Sequence, residues 1–318
     1  MSSGAKYSIL YVLISGILVT FAGRLSAGVV FEIEMKDHSP ASSLPLDSVG
    51  PGGMGANRPD GIQVQANTSS PASASRIFKT QISAQGRDIK LATTDEKGQP
   101  NNIMIFHGQK QEMLVLNPED KTYMVMDSNT IEAMAKRMNQ MEMQMQEALK
   151  HVPEDQRAMV EQMMKQHIPN QSSQTTPEQP LDIKKTDEKE TRNGFPCVRY
   201  VAKRADKTID EYWVTEWKNI QGGDEINKGF EDMAGFYQKM MDTLSKGSSM
   251  GGPLLANKGN PFEHIKDFKG VPVVTKTFSQ DNTLATESTL RSAKQQTLAP
   301  DTFEPPAGYK QRDMLAAP

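Results

Sequence analysis

The sequence predicts an α+β fold, in which three helices accompany a mostly antiparallel sheet of about nine to eleven strands. Short apolar or alternating segments recur between turn-forming residues, and such short connections join antiparallel neighbours. Two longer stretches, 128–168 and 225–246, instead repeat apolar residues every three or four positions, which is typical of amphipathic helices. Because a sheet of this size usually curls, we expect it to be curved.

The predicted strands begin directly after residue 27, where apolar residues at alternate positions from 29 to 35 indicate one buried face. Further strands are predicted at 77–82, 89–92, 103–106, 113–116, 121–126, 197–203, 208–217, 271–278 and 284–293, and the segment 303–310 closes the chain. Segments 103–106 and 113–116 are apolar on both faces, so we expect this part of the sheet either to be covered on both sides or to line a dry concavity. The helices that follow are an available cover.

A methionine-rich helical hairpin is predicted at 128–168, between two groups of strands. Pro153 separates its two helices, because proline cannot continue a helix. The apolar face of the first helix consists of Ile131, Met134, Met138, Met141, Met145, Leu149 and Val152. The second helix carries Met159, Val160, Met163, Met164 and His167. Such a stripe is usually ordinary core, but flexible methionine side chains also suit a lid over an apolar ligand.

The amino terminus predicts export. Lys6 precedes an apolar run at 7–22, and small residues follow near position 27, so residues 1–27 are interpreted as a signal peptide. Cleavage would release the protein to the periplasm or the exterior, whereas an uncleaved run would act as an anchor.

Two polar segments interrupt the rest of the chain, which is interpreted as one domain at 28–318. Residues 37–75 are rich in Ser, Pro, Gly and Ala and predict a disordered insertion. Residues 169–182 predict a linker before the strands resume.

Composition and motifs argue against several function classes. The 318 residues carry a net charge of −3, and this mild acidity argues against a nucleic-acid partner. Cys197 stands alone, so no intramolecular disulfide is expected, and its neighbours Pro196 and Val198 indicate a small buried residue. No phosphate loop, metal-binding histidine pair or nucleophilic serine motif occurs. We therefore predict a protein that is not an enzyme and has no cofactor.

Four motifs follow one another through the larger part of the chain, at 117–123, 193–197, 211–215 and 303–310. Their order resembles a family of exported bacterial proteins of unknown function, which is related in fold to the LolA-like carriers of outer-membrane lipoproteins. The resemblance implies a half-barrel, in which helices pack in the concave face of a strongly curved antiparallel sheet. In some relatives this face also holds acyl chains.

These observations together predict a binding protein that holds a lipid or another apolar small molecule between the sheet and the helices. The candidate ligand-binding residues are Met134, Met138, Met141, Met145, Met163, Phe230, Met233, Tyr237 and Trp213. Alternatively, the helices fill the cavity completely and the protein contacts a protein partner in the cell envelope. As a second alternative, methionine thioethers and an imidazole bind Cu(I). That site would draw on Met141, Met143, Met145, Met163, Met164 and His167.

Overall fold

The computed structural model describes residues 27–38, 76–94, 98–150, 181–247, 268–279 and 281–313, with only the backbone of 149 and 150. Twelve strands lie in this part of the chain: β1 Ala27–Asp37, β2 Arg76–Gln85, β3 Asp88–Thr94, β4 Pro100–His107, β5 Glu112–Asn117, β6 Thr122–Met126, β7 Asp182–Arg192, β8 Phe195–Arg204, β9 Lys207–Glu216, β10 Gly270–Phe278, β11 Leu284–Thr297 and β12 Lys310–Gln311. Two α-helices accompany them, α1 Ser128–Lys150 and α2 Gly223–Gly247, with a 3₁₀ helix at Trp217–Asn219.

All twelve strands belong to one sheet, in the order β12-β6-β5-β4-β3-β2-β1-β11-β10-β9-β8-β7. Neighbours run antiparallel except β12 and β6, which pair in parallel. The first strand lies in the middle of the sheet, where β1 pairs with both β2 and β11. The sheet thus consists of two runs of sequential strands, β1–β6 and β7–β11, which are joined by the pairing of β1 with β11.

The predicted α+β class is wrong, because strand predominates. In the described part of the chain 53% of residues lie in strands and 26% in helices, so the fold is predominantly β and not the expected α+β half-barrel. Several strands extend well past the apolar runs that predict them, as β11 does to Thr297. Backbone hydrogen bonds to neighbouring strands stabilise these polar extensions, and such bonds cannot be recognised from a pattern of hydrophobic residues.

Several predicted segments lie outside the described residues. They are most of the signal peptide, the second hairpin helix, and the larger part of both the insertion and the linker. Residue 27 already belongs to β1, and so does Asp37, which was predicted to open the insertion. Asp37 accepts a 2.6 Å hydrogen bond from Arg76, its partner across β1 and β2, so this ion pair ties together the two ends of segment 38–75.

Strand β7 was not predicted, because most of its residues are charged. It occupies one edge of the sheet and pairs with β8 through the turn at Asn193 and Gly194, whose φ angles are 48° and 82°. Positive φ at both turn residues is the geometry that Asn-Gly favours in a tight hairpin. Charged residues on an edge strand also discourage pairing with other chains.

Helix α2 packs against one face of the sheet, called here the inner face. Its predicted stripe is confirmed except at Tyr237, which is only partly buried, while Phe236 is buried instead. The buried side chains of the stripe are Ile226, Phe230, Met233, Phe236, Met240 and Leu244. They join a single hydrophobic cluster, the inner core, to which strands β1–β6 and β8–β11 all contribute.

The opposite face, called here the outer face, is covered by the chain that follows β11. Leu298 and Phe303 from this segment pack on Val30, Ile103, Ile105, Leu114 and Leu116. Coverage of both faces at β4 and β5 is therefore confirmed. The expectation that β1 has one buried face is wrong for its first half, because Val30 packs on this outer side while its neighbours pack on the inner side.

Three local contacts fix the helices in place. Arg87, in the turn between β2 and β3, donates a 2.5 Å hydrogen bond to Asp232 of α2. The amide of Thr130 donates a 2.8 Å hydrogen bond to the Asp127 carboxylate. This hydrogen bond caps the start of α1 and lowers the pKa of the Asp127 carboxyl group. Gly247 lies directly against Ala135 of α1, where a β-carbon would stand 2.6 Å from the Ala135 β-carbon.

We expect Gly247→Ala to destabilise the protein by about 1–3 kcal/mol, because the new methyl group would push the backbone of α1 away from α2. Gly235→Ala is the matched control in the same helix, since nothing lies within 4 Å of its added β-carbon. That control should raise stability by up to about 1 kcal/mol, through higher helix propensity. Urea unfolding followed by tryptophan fluorescence measures both, and an equal effect of the two substitutions would contradict the close approach.

Candidate functional site

Six of the nine predicted ligand-binding residues lie in or against the inner core. Trp213, Phe230 and Met233 are buried within it, with relative exposures of 5%, 6% and 0%. Tyr237, Met134 and Met138 are partly buried against the same cluster. The sequence therefore identified which residues of the sheet and helices meet on this face.

These residues contact one another as a packed core. The ring centroid of Phe230 lies 6.0 Å from that of Phe31, in an edge-to-face arrangement, and 5.3 Å from that of Trp217. Phe236 lies 5.5 Å from Phe106 of β4. Centroid distances of this size are those of aromatic pairs in direct contact. In this part of the inner face, the sheet's covering is α2 itself.

The remaining predicted residues do not join this cluster closely. Met141 is 63% exposed, and Met145 is partly exposed. At 100° per residue Met141 lies within about 20° of Met134 on the helix, so it is exposed because α1 extends past the end of the core there. The prediction that Met141 faces the core is thus wrong. Met163 lies outside the described residues.

Trp213 anchors a polar network where the inner face meets β7. The Arg192 guanidinium lies 4.6 Å above its ring, a cation–π contact. Its indole nitrogen donates a 2.9 Å hydrogen bond to Glu211, which also accepts a 2.7 Å bond from Arg199. Burial alone would raise the pKa of Glu211, but the hydrogen bonds from Trp213 and Arg199 outweigh it and lower that pKa. The network holds the ring of Trp213 in place.

The described residues do not test the copper alternative. Met143, like Met141, is largely exposed, at 57%, while Met163, Met164 and His167 lie outside the described ranges. No group of three or more His, Cys, Asp or Glu side chains that could hold a metal occurs in the part of the chain that the structure describes.

Cys197 is a small buried residue, as predicted. It is 3% exposed within the inner core, and its thiol donates to the Phe195 carbonyl at 3.3 Å. Burial raises the pKa of this thiol, which favours the unreactive protonated form.

The outer face contains a cleft of about 450 Å³. The floor of the cleft is formed by Gln81 and Ser83 of β2 and by Lys90 and Ala92 of β3. The wall that faces this floor is formed by segment 296–307. Ser83 lies directly opposite Lys90 in the pairing of β2 with β3. Asp301 and Glu304 stand on the opposite wall. The cleft therefore combines one cationic side chain, two carboxylates and three hydroxyl groups, those of Ser83, Thr297 and Thr302.

Lys90 is the unusual residue of this cleft. In the described ranges its ammonium forms neither an ion pair nor a hydrogen bond, although the side chain is partly buried. Burial lowers its pKa, and the charge of Asp301 partly opposes that effect. Sequence reasoning missed Lys90, because it treated residues 89–92 only as a strand. The sequence signal for this site was that Lys90 lies on the same face of the sheet as the apolar residues Ile103 and Ile105 of β4.

No family model matches the chain, and no curated protein matches it either. One similar solved structure is an uncharacterized conserved protein from Thermus thermophilus, with 4% sequence identity, 89% coverage of each chain and a TM-score of 0.37. A similarity this low supports no conclusion about fold or function. No helix among the described residues is both long and apolar enough to span a membrane.

We expect Glu211→Gln to lower the free energy of unfolding by about 1–3 kcal/mol at pH 7, because it removes the charged acceptor of Trp213 and Arg199. The folded-state pKa of Glu211 is lowered, so its ionised form stabilises the protein above the unfolded-state value of about 4.3. That contribution is lost as pH falls through the lower folded-state value.

The difference between wild type and variant should therefore shrink on acidification below about pH 4. Urea unfolding at a series of pH values measures it. Glu119→Gln is the control, since Glu119 is exposed in the turn between β5 and β6. A difference that does not change with pH would contradict the role given to the Glu211 charge.

Proposed function

We propose that this protein is an exported, non-enzymatic module of the cell envelope that binds a protein partner and fills its sheet with its own helix. The observation that carries the proposal is the packing of α2: Met233 is fully buried, and Phe230 lies between Phe31 and Trp217. These side chains occupy the space that a lipid was expected to fill. Export rests on the apolar run at 7–22.

The proposed contact surface is the methionine edge of α1, formed by Met141 and Met145. It continues the stripe whose earlier members, Met134 and Met138, pack against the inner core. Where the core ends, the stripe reaches solvent at Met141. An exposed apolar helix edge suits an apolar groove on another protein, and unbranched methionine adapts to such a groove. The partner is therefore a protein with an apolar groove.

Site-specific photo-crosslinking in intact cells tests this surface. With benzoylphenylalanine at position 141, we expect one discrete adduct with an envelope protein. Position 143 is the matched control, because Met143 is also exposed and points about 200° away on the same helix. Equal labelling from the two positions would contradict the proposal, as would an adduct with the mass of a lipid.

Organic extraction and native mass spectrometry of the purified mature protein separate this proposal from lipid binding. We expect the mass of the bare chain, because the inner core is occupied by α2. A lipid recovered in stoichiometric amount would return the function to an apolar-ligand carrier and overturn the self-filled core.

Two substitutions separate the surface from the core. With benzoylphenylalanine placed at position 145 instead, we expect an adduct with the same partner, and Met141→Glu should abolish it. This substitution should change stability by less than about 0.5 kcal/mol, because Met141 is mostly exposed. Replacing Met138 and Met141 together with leucine should change stability by less than about 3 kcal/mol. It should also keep the adduct, since leucine preserves the apolar edge. Loss of the adduct in both variants would argue against a purely apolar contact.

A further inference from the structure

The outer-face cleft has the form of a small binding site. Its volume of about 450 Å³ lies in the range of small-molecule sites. Leu298 and Phe303, each 8% exposed, anchor the wall on either side of Asp301. The same segment ends in β12, where the Lys310 amide donates to the Lys121 carbonyl at 3.0 Å. A wall held at these points is preorganised, and preorganisation lowers the cost of binding.

The floor of the cleft presents hydrogen-bond donors that the protein does not use. In the described ranges neither the Lys90 ammonium nor the Ser83 hydroxyl has a hydrogen-bond partner. The two residues are directly paired across β2 and β3, so their side chains stand next to each other on one face. An ammonium and a hydroxyl side by side suit one carboxylate group.

The opposite wall limits which anions can enter. Asp301 and Glu304 place two negative charges across from Lys90, so the three side chains sum to one negative charge. A dianion such as phosphate would be repelled, because the like charges outnumber the single ammonium. A ligand that carries a carboxylate and an ammonium close together satisfies both Lys90 and the carboxylates, because the charge of Asp301 acts on Lys90 across the cleft. Ala92, Leu298 and Pro305 add apolar surface for a hydrocarbon side chain.

We propose that this cleft binds a small α-amino carboxylate, whose carboxylate contacts Lys90 and Ser83 and whose ammonium contacts Asp301 and Glu304. The site lies on the face opposite α2 and is independent of the methionine edge of α1. The lowered pKa of Lys90 is consistent with a cation that gains from a bound anion. The protein would thus combine contact with a partner and recognition of a small zwitterion.

Isothermal titration of the mature protein with each of the common amino acids tests this site, starting with L-leucine because of the apolar lining. For the amino acid that binds best, we expect its amide, which lacks the carboxylate, and its N-acetyl derivative, which lacks the ammonium, to bind at least about tenfold more weakly. Inorganic phosphate should give no heat of binding. The proposal is overturned if no amino acid binds in the millimolar range, or if either derivative binds as well as its parent.

Variants locate the binding in the cleft. Lys90→Met and Asp301→Asn should each weaken binding about tenfold or more, with Lys90→Met leaving the side-chain length nearly unchanged. Lys294→Met is the matched control, because Lys294 is an exposed lysine of β11 that lies opposite Val30 and outside the cleft. Asp301 is exposed, so Asp301→Asn keeps the test informative even if Lys90→Met unfolds the protein. Equal affinity of Asp301→Asn and Lys294→Met would place the ligand elsewhere and overturn the site.

Discussion

The burial of one side of α2 against the inner face of the sheet is the constraint on which the rest of the structure depends. One helix supplies six buried side chains to a cluster shared by ten strands, so its position determines where those strands must place apolar residues. The ion pair between Arg87 and Asp232, and the close approach of Gly247 to Ala135, hold the helix against the sheet and against α1. A wide sheet exposes much apolar surface unless something covers it, and α2 is that cover.

The apolar part of the outer face is also covered, but by the segment after β11 and not by an α-helix. Leu298 and Phe303 cover the apolar row on β4 and β5, and the final residues pair with β6. The two edges of the sheet are managed differently, since β12 shields part of β6 while charged side chains line β7. Because the covering segment spans polar as well as apolar parts of β2 and β3, it seals the core and also encloses the cleft around Lys90.

The two faces consequently differ in what they offer to other molecules. The inner face is occupied by its own helix, and the methionine edge reaches solvent where α1 extends past the core. On the outer face, the Lys90 ammonium and the Ser83 hydroxyl have no hydrogen-bond partner among the described residues, and they lie beside the wall that Leu298 and Phe303 anchor. The apolar protein contact and the polar small-molecule contact that we propose thus fall on opposite sides of one sheet.

The sequence by itself determined the features that depend on local periodicity. It predicted α2, the first helix of the hairpin, most of the strands and the burial of Cys197, because each is encoded by neighbouring residues. Only the tertiary structure decided that the fold is predominantly β, that charged β7 is a strand, and that Met141 faces solvent. It also decided that Lys90 and Asp301, far apart in the chain, share one cleft. Strand pairing and the direction of a helix face depend on distant partners, and no local pattern specifies them.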